Sequence, residues 1–115
     1  MTILIHMDLD EYQRGALRTA ASRAKRNELL HLVLGLVGES GEVAEKFKKW
    51  IRDLDSDESR LDRADIAREL GDVLWYVAVL ADYLDLSLND IATTNLAKLA
   101  SRQRRGVLGG TGDNR

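Results

Sequence analysis

The 115-residue chain is long enough for one domain with a single core, which would bury roughly 65% of its unfolded surface. Its net charge of −2 gives no basic field for nucleic acid, and the absence of cysteine excludes disulfides and thiolate metal sites and suits a reducing cytoplasm. The apolar start lacks the basic leader and long apolar core of a signal peptide, and no apolar run approaches membrane-spanning length. We therefore predict a cytoplasmic protein that has neither nucleic-acid nor membrane partners.

The absence of proline and the abundance of Leu, Ala, Arg and Glu predict helices throughout. Residues 1–6 are predicted to form a loose arm. A first helix, capped by Asp8 or Asp10, is predicted to continue to about Lys25. Its apolar side consists of Leu9, Tyr12, Ala16 and Ala20. Of these, Tyr12 is interpreted as a half-buried core residue.

The second helix is predicted from about Asn27 to Asp53. Periodicity predicts that its core stripe consists of Val33, Leu36, Val37, Ser40, Ala44, Phe47 and Ile51. Glu39 and Glu42 are three residues apart, so they lie side by side, away from that stripe. The same polar side carries His31, Gly35, Lys46 and Lys49. A site built on this side needs another helix or a second subunit to complete it, whereas His31 is interpreted as a surface residue.

A polar loop follows, and the third helix is predicted from about Leu61 to Leu84, with Ser59 or Asp62 as its N-cap. Its predicted core stripe is Ile66, Leu70, Val73, Val77, Leu80 and Leu84. The adjacent face carries Asp65, Glu69, Asp72 and Tyr76. Glu69 and Asp72 are again three residues apart, so this helix presents a second carboxylate pair.

The fourth helix opens at Ser87, with Asp90 at its third position. Its predicted apolar side is Leu88, Ile91, Leu96 and Leu99, and its other sector carries Asn95, Lys98 and Arg102. A solvated basic helix end is the alternative interpretation of that sector. Residues 106–115 are glycine-rich and are predicted to form a flexible tail or a lid.

Two carboxylate pairs on neighbouring helices repel one another unless a cation lies between them, and Mg²⁺ is the simplest candidate because it prefers oxygen ligands. Glycines recur at 35, 38 and 41 although each costs about 1 kcal/mol in a helix, which indicates an open groove there. The alternative is an ordinary solvated face, since Glu42 with Lys46 and Glu45 with Lys49 form favourable i,i+4 pairs.

Gly-Glu-Ser-Gly-Glu-Val-Ala-Glu at 38–45 and Glu-Leu-Gly-Asp-Val-Leu-Trp-Tyr at 69–76 resemble the MazG-like nucleotide pyrophosphohydrolases of the all-α NTP pyrophosphatase superfamily. The resemblance implies one all-α domain over residues 1–115, with a four-helix-bundle-like MazG-type fold, in dimers or tetramers. It also implies Mg²⁺-dependent hydrolysis of a (deoxy)nucleoside triphosphate to the monophosphate and pyrophosphate, in nucleotide-pool house-cleaning.

The resemblance assigns metal binding and catalysis to Glu39, Glu42, Glu69 and Asp72. It assigns nucleotide and phosphate contacts to Tyr76, Asn95, Lys98 and Arg102, and charge considerations add Lys46 and Lys49. Many relatives have a further Glu at the position of Gly38, so the number of metal ions stays open. The general base and the base preference stay open as well.

Two other classes of protein are alternatives to this interpretation. A di-iron helical bundle uses two Glu-x-x-His ligand pairs, and this sequence contains a single one, Glu28 with His31, because His6 follows no glutamate by three residues. A non-catalytic helical module that binds nucleotide or another protein remains the alternative. Trp50 and Trp75 are interpreted as core or interface residues and are left out of the site.

Overall fold

The computed structural model describes residues 6–106, and within that range it contains helices and no strand. The helices are α1 (Leu9–Ala16), α2 (Glu28–Leu54), α3 (Arg63–Tyr83) and α4 (Leu88–Arg105), with short 3₁₀ helices at Leu17–Thr19 and Glu58–Arg60. The all-α prediction is therefore confirmed. Residues 1–5 of the predicted arm and residues 107–115 of the predicted tail lie outside the described part.

The second and third helices pack along each other, and α1 packs across α3 and α4. The buried core is small and lies where α1, α2, α3 and the start of α4 meet; it consists of Ala16, Leu32, Ala78, Val79 and Leu88. The rest of the α2–α3 seam runs beyond this core, and the acidic residues lie along it. No helix of the described part is long and apolar enough to cross a membrane.

The first helix is shorter than predicted, because it ends at Ala16 and not near Lys25. The Thr19 hydroxyl donates to the Ala16 carbonyl at 3.1 Å, and this local bond competes with continuation of the helix. The Trp75 indole N–H donates to Thr19 Oγ1 at 2.9 Å. Arg23 donates to the Tyr83 carbonyl at 2.6 Å. Tertiary contacts with α3 therefore fix a segment for which helix propensity alone was misleading.

Polar side chains of α1 hold the turn between α3 and α4. Asp8 caps α1 in a capping box with Glu11. Asp10 instead caps α4, accepting from the Ser87 hydroxyl at 2.8 Å and the Asn89 amide at 2.9 Å. The buried Gln13 side chain donates to the carbonyls of Ala78 and Leu86 and accepts from the Leu88 amide, so both ends of its amide are satisfied.

The stripe predicted as the core side of α2 is largely exposed. Val33 is 40% exposed, Val37 65% and Ile51 59%, while Leu36 and Phe47 are half-buried. The helix turns a different side towards α3, the one that carries Leu32, Gly35 and Glu39. The prediction was wrong because periodicity identifies an apolar stripe without identifying what covers it.

The stripes predicted for α3 and α4 need similar corrections. Leu70 of α3 and Leu84, which directly follows that helix, are exposed, and so are Ile91 and Leu96 of α4. Arg102 is only 3% exposed, so it does not belong to a solvated sector of α4. A long arginine stem buries apolar surface readily, which a hydropathy pattern does not register.

Candidate metal centre

Three acidic side chains converge between α2 and α3. Glu39, Glu69 and Asp72 each place one carboxylate oxygen so that the three oxygens lie within 4.8 Å of one another. Glu39 and Glu69 are half-buried and Asp72 is exposed. Glu69 and Asp72 come from adjacent turns of α3, and α2 supplies Glu39 from across the seam. We call these three residues the carboxylate cluster.

Glu42, the other acid of the first pair, is exposed and lies outside the cluster. It is still close enough for its charge to contribute to a raised pKa at Glu39. The structure therefore brings together three of the four predicted ligands and leaves Glu42 beside them.

The pKa of Glu39 is raised above the ordinary glutamate value of 4.5. Burial is the largest cause, followed by the negative charges of Asp72, Glu69 and Glu42. Carboxylates that destabilise one another in this way would be stabilised by a cation placed among them. The donor set consists of carboxylate oxygens, which fits a hard divalent cation such as Mg²⁺ and does not fit a metal that prefers sulfur or nitrogen ligands.

A lysine of α2 lies beside the cluster. Lys46 Nζ is 2.8 Å from Asp65 Oδ2 and 3.8 Å from Glu69 Oε1. Lys49 and Lys46 both line a cavity of about 310 Å³ between the end of α2 and the start of α3. Lys46 is thus held by carboxylates at one end of the site, and Lys49 lies further along the same seam.

Tyr76 occupies the seam on the other side of the cluster. Its ring lies against the backbone of Gly35 and makes an edge-to-face contact with Trp75, with ring centroids 4.9 Å apart. It also packs against the core. Tyr76 therefore packs at the edge of the core, whereas its contact with nucleotide stays a prediction.

A cavity of about 620 Å³ lies between α1 and Trp75. Its lining is Met7, Glu11, Tyr12, Arg14, Gly15, Ala16, Arg18, Thr19 and Trp75. Burial and then the charge of Asp72 raise the pKa of Tyr12, so the Tyr12 phenol lies within electrostatic reach of the cluster. Sequence reasoning left Tyr12 and Trp75 out of the site. The available signal was spacing, since Trp75 lies one turn after Asp72 on α3.

The predicted contacts from α4 lie elsewhere. Asn95 and Lys98 line a cavity of about 400 Å³ at the α3–α4 turn, and its lining includes no member of the cluster. Arg102 is buried. His31 is exposed, as predicted, with Nδ1 2.9 Å from the carboxylate of the buried Glu28. Trp50 donates its indole N–H to the Asp57 carbonyl at 2.8 Å and so fastens the loop after α2.

The fold and the cluster together define an all-helical protein with an acidic candidate site for a divalent cation between two neighbouring helices. A family model described as the MazG nucleotide pyrophosphohydrolase domain matches residues 27–107. The chain belongs to this family, which confirms the resemblance. A similar protein is the Gene 37 protein of Mycobacterium phage L5, 52% identical over 87 residues that cover 76% of each chain. Its name states no activity. No solved structure matches the chain.

Proposed function

We propose that the protein hydrolyses a nucleoside triphosphate, most simply a deoxynucleotide, to the monophosphate and pyrophosphate in a Mg²⁺-dependent reaction. The observation that carries the proposal is the convergence of Glu39, Glu69 and Asp72 in a chain of the nucleotide pyrophosphohydrolase family. House-cleaning of non-canonical nucleotides is the role that we propose for this reaction.

The charges of the two partners require a cation between them. A triphosphate and a carboxylate cluster repel each other, so the cluster can approach the substrate only through a bridging ion. Mg²⁺, when bound, would neutralise phosphate oxygens and stabilise charge that develops during the reaction. Glu39, Glu69 and Asp72 would hold it, with Glu42 as the proposed fourth ligand. A carboxylate of this group that is not bonded to metal would accept a proton from the attacking water.

Basic side chains would bind the phosphate oxygens whose negative charge the metal does not neutralise. Lys46 and Lys49 are proposed for this role because they follow the cluster along the α2–α3 seam. The proposal also includes the nucleotide contacts that the family resemblance implies for Tyr76, Asn95, Lys98 and Arg102.

We assign the nucleoside half of the substrate to the cavity between α1 and Trp75. Its volume of about 620 Å³ is in the range of small-molecule sites. Trp75 offers a ring face, and Arg14, Arg18 and Thr19 offer polar groups around it. Tyr12 lines this cavity and its pKa is raised by burial and then by the charge of Asp72, so we propose that one extended ligand reaches both the cavity and the cluster.

We further propose that the protein is a homo-oligomer, a dimer or tetramer, that forms through the exposed apolar side of α2. This side carries Leu30, Val33, Leu34, Val37 and Ile51, which are between 40% and 65% exposed. Leu30, Val33, Leu34 and Val37 are neighbours on one face of the helix by their spacing, and such an exposed apolar group is unusual on a soluble monomer. The radius of gyration, 17.4 Å, also exceeds the roughly 13 Å of a compact domain of this length. An isologous dimer is the simplest way to cover the surface.

The test is product analysis across canonical and damaged (deoxy)nucleoside triphosphates, with Mg²⁺ and with EDTA. Ion-exchange chromatography should show monophosphate and pyrophosphate as the first products with Mg²⁺ and no turnover with EDTA. A diphosphate as the main first product would exclude this reaction class. Tight binding of a nucleotide without turnover of any member of the panel would favour the non-catalytic module.

A further inference from the structure

Asp65 of α3 holds the lysine beside the cluster, although it is not one of the predicted site residues. Asp65 Oδ2 accepts from Lys46 Nζ at 2.8 Å, while the same nitrogen is 3.8 Å from Glu69 Oε1. Asp65 precedes Glu69 by one helical turn, so the two carboxylates lie on one face of α3. Lys46 therefore forms its hydrogen bond with the acid outside the cluster and has only a longer contact with the acid inside it.

The position of the ammonium group depends on Asp65. Lys46 and Asp65 are both mostly shielded, with side chains 29% and 28% exposed, and Glu69 is 18% exposed. A lysine ammonium normally approaches a carboxylate to about 2.8 Å when nothing else holds it. If Asp65 could not accept, Glu69 would be the nearest carboxylate along the seam, and a change of rotamer would bring Lys46 onto it.

Asp65 is itself held in place. Its other oxygen, Oδ1, accepts from Arg68 Nη2 at 3.2 Å. Lys46 and Arg68 thus contact the two oxygens of one carboxylate, and both lower the pKa of Asp65, with Lys46 as the larger cause. The carboxylate of Asp65 is therefore held by two cations, neither of which contacts it through a member of the cluster.

We propose that Asp65 is a positioning residue that keeps Lys46 off Glu69, so that the Glu69 oxygens stay available to a divalent cation while the ammonium remains close enough to meet a phosphate. This inference rests on the proposed metal-dependent function. An internal Lys46–Glu69 ion pair would compete with the cation for the same oxygens, and Asp65 prevents that competition.

The test is a double-mutant cycle on metal binding by the full chain in the absence of nucleotide. Binding of Mn²⁺, as a spectroscopic stand-in for Mg²⁺, is measured by the loss of the free-ion signal in electron paramagnetic resonance. Asp65→Asn should weaken binding by about twofold to tenfold, within the range of coupling between contacting charged groups. Asp65→Glu, which retains an acceptor, should restore most of the loss. Asp53→Asn removes the same charge from an acid paired with Arg52 and serves as the matched control, with near-wild-type binding expected.

The decisive comparison is Lys46→Met in the two backgrounds. If Asp65 positions Lys46, the Lys46→Met change should improve Mn²⁺ binding much more in the Asp65→Asn protein than in wild type. A general charge effect predicts equal improvement in both, and a purely structural role predicts no rescue; either result would overturn the proposal. Steady-state kinetics add a second readout: Asp65→Asn should raise the Mg²⁺ concentration for half-maximal rate.

Failure of this inference is distinguishable from failure of the proposed function. If the wild-type protein binds Mn²⁺ and releases pyrophosphate, and the Asp65→Asn protein binds Mn²⁺ equally well, the positioning role alone is overturned. Wild type that binds no Mn²⁺ and hydrolyses no triphosphate overturns both.

Discussion

The ring of Tyr76, on α3, lies directly against the backbone of Gly35 on α2. A β-carbon on Gly35 would lie 2.5 Å from Tyr76 Cζ, far inside van der Waals contact. Glycine is thus required at this position by the close approach of a side chain from the neighbouring helix. Because Gly35 lies one turn before Glu39 on α2 and Tyr76 one turn after Asp72 on α3, this contact helps to set how the two halves of the cluster meet.

Replacing Gly35 by alanine should therefore destabilise the protein although alanine favours helix. We expect a net loss of about 1–2 kcal/mol, because displacement of Tyr76 outweighs the gain of about 1 kcal/mol in propensity. Gly71→Ala, also inside a helix but with no neighbour within 4 Å, is the matched control and should be neutral or stabilising. Urea denaturation of both variants measures the difference.

The Tyr76→Ala protein tests whether the Tyr76 ring is the reason that Gly35→Ala destabilises. In a Tyr76→Ala protein the Gly35→Ala change should no longer be destabilising. A persistent loss there would mean that the ring is not what requires glycine.

The stability of the metal-free protein should depend on pH because the carboxylates of the cluster repel one another. The folded-state pKa of Glu39 is raised, so the folded protein binds this proton more tightly than the unfolded chain. The associated stability is present at low pH and is lost as pH rises through the raised pKa. In EDTA, Glu39→Gln should melt above wild type near neutral pH, with a difference that shrinks as pH falls towards the ordinary glutamate pKa of 4.5. A melting difference that stays constant with pH would show that the shift is absent.

Arg102 should contribute to stability, in contrast to the surface role inferred from helical spacing. Its side chain is 3% exposed, so Arg102→Ala removes buried packing and polar contacts together. We expect a loss of about 1–3 kcal/mol in thermal unfolding without ligand. Arg104→Ala, an exposed arginine of the same helix, is the control and should change little. If Arg102→Ala keeps the wild-type transition and raises only KM, then Arg102 is a phosphate contact and has no structural role.

The exposed side of α2 gives a prediction about assembly. Multi-angle light scattering should give a multiple of the 12.9 kDa chain mass for wild type. Val37→Asp places a charge in the middle of the apolar surface and should shift the protein towards monomer. Leu96→Asp, at a similarly exposed leucine on α4, should leave the assembly intact. A monomeric wild type at about 0.1 mM would contradict the proposed interface.

The parts predicted well from sequence are those determined locally. The predicted bounds of α2, α3 and α4 lie close to the observed ones, and Asp62 and Ser87 do cap α3 and α4 in the structure. The end of α1 was not predictable from its own residues, because the bonds that stop it come from Trp75 and from the Tyr83 carbonyl.

In the candidate site, too, local features were predictable from the sequence and the relative placement of the helices was not. The spacing of Glu69 and Asp72 placed them together on α3, and periodicity placed Glu39 on a side of α2 distinct from the apolar stripe. Periodicity could not show that this polar side, and not the stripe, faces α3. The position of Lys46 between Asp65 and Glu69 was equally inaccessible, because a seam between two helices depends on their relative rotation.

The central claim is that Glu39, Glu69 and Asp72 form a divalent-cation site, and thermal unfolding with EDTA or excess Mg²⁺ tests it most directly. Mg²⁺ at about 100 times Kd should stabilise wild type by about 2.7 kcal/mol. Asp72→Asn should melt at or above wild type in EDTA, because it removes part of the repulsion, and should lose most of the Mg²⁺ effect. Glu45→Gln, which removes an acid of α2 paired with Lys48, should keep that effect. A wild-type melting temperature that does not respond to Mg²⁺ at any concentration, with or without nucleotide, would contradict the claim.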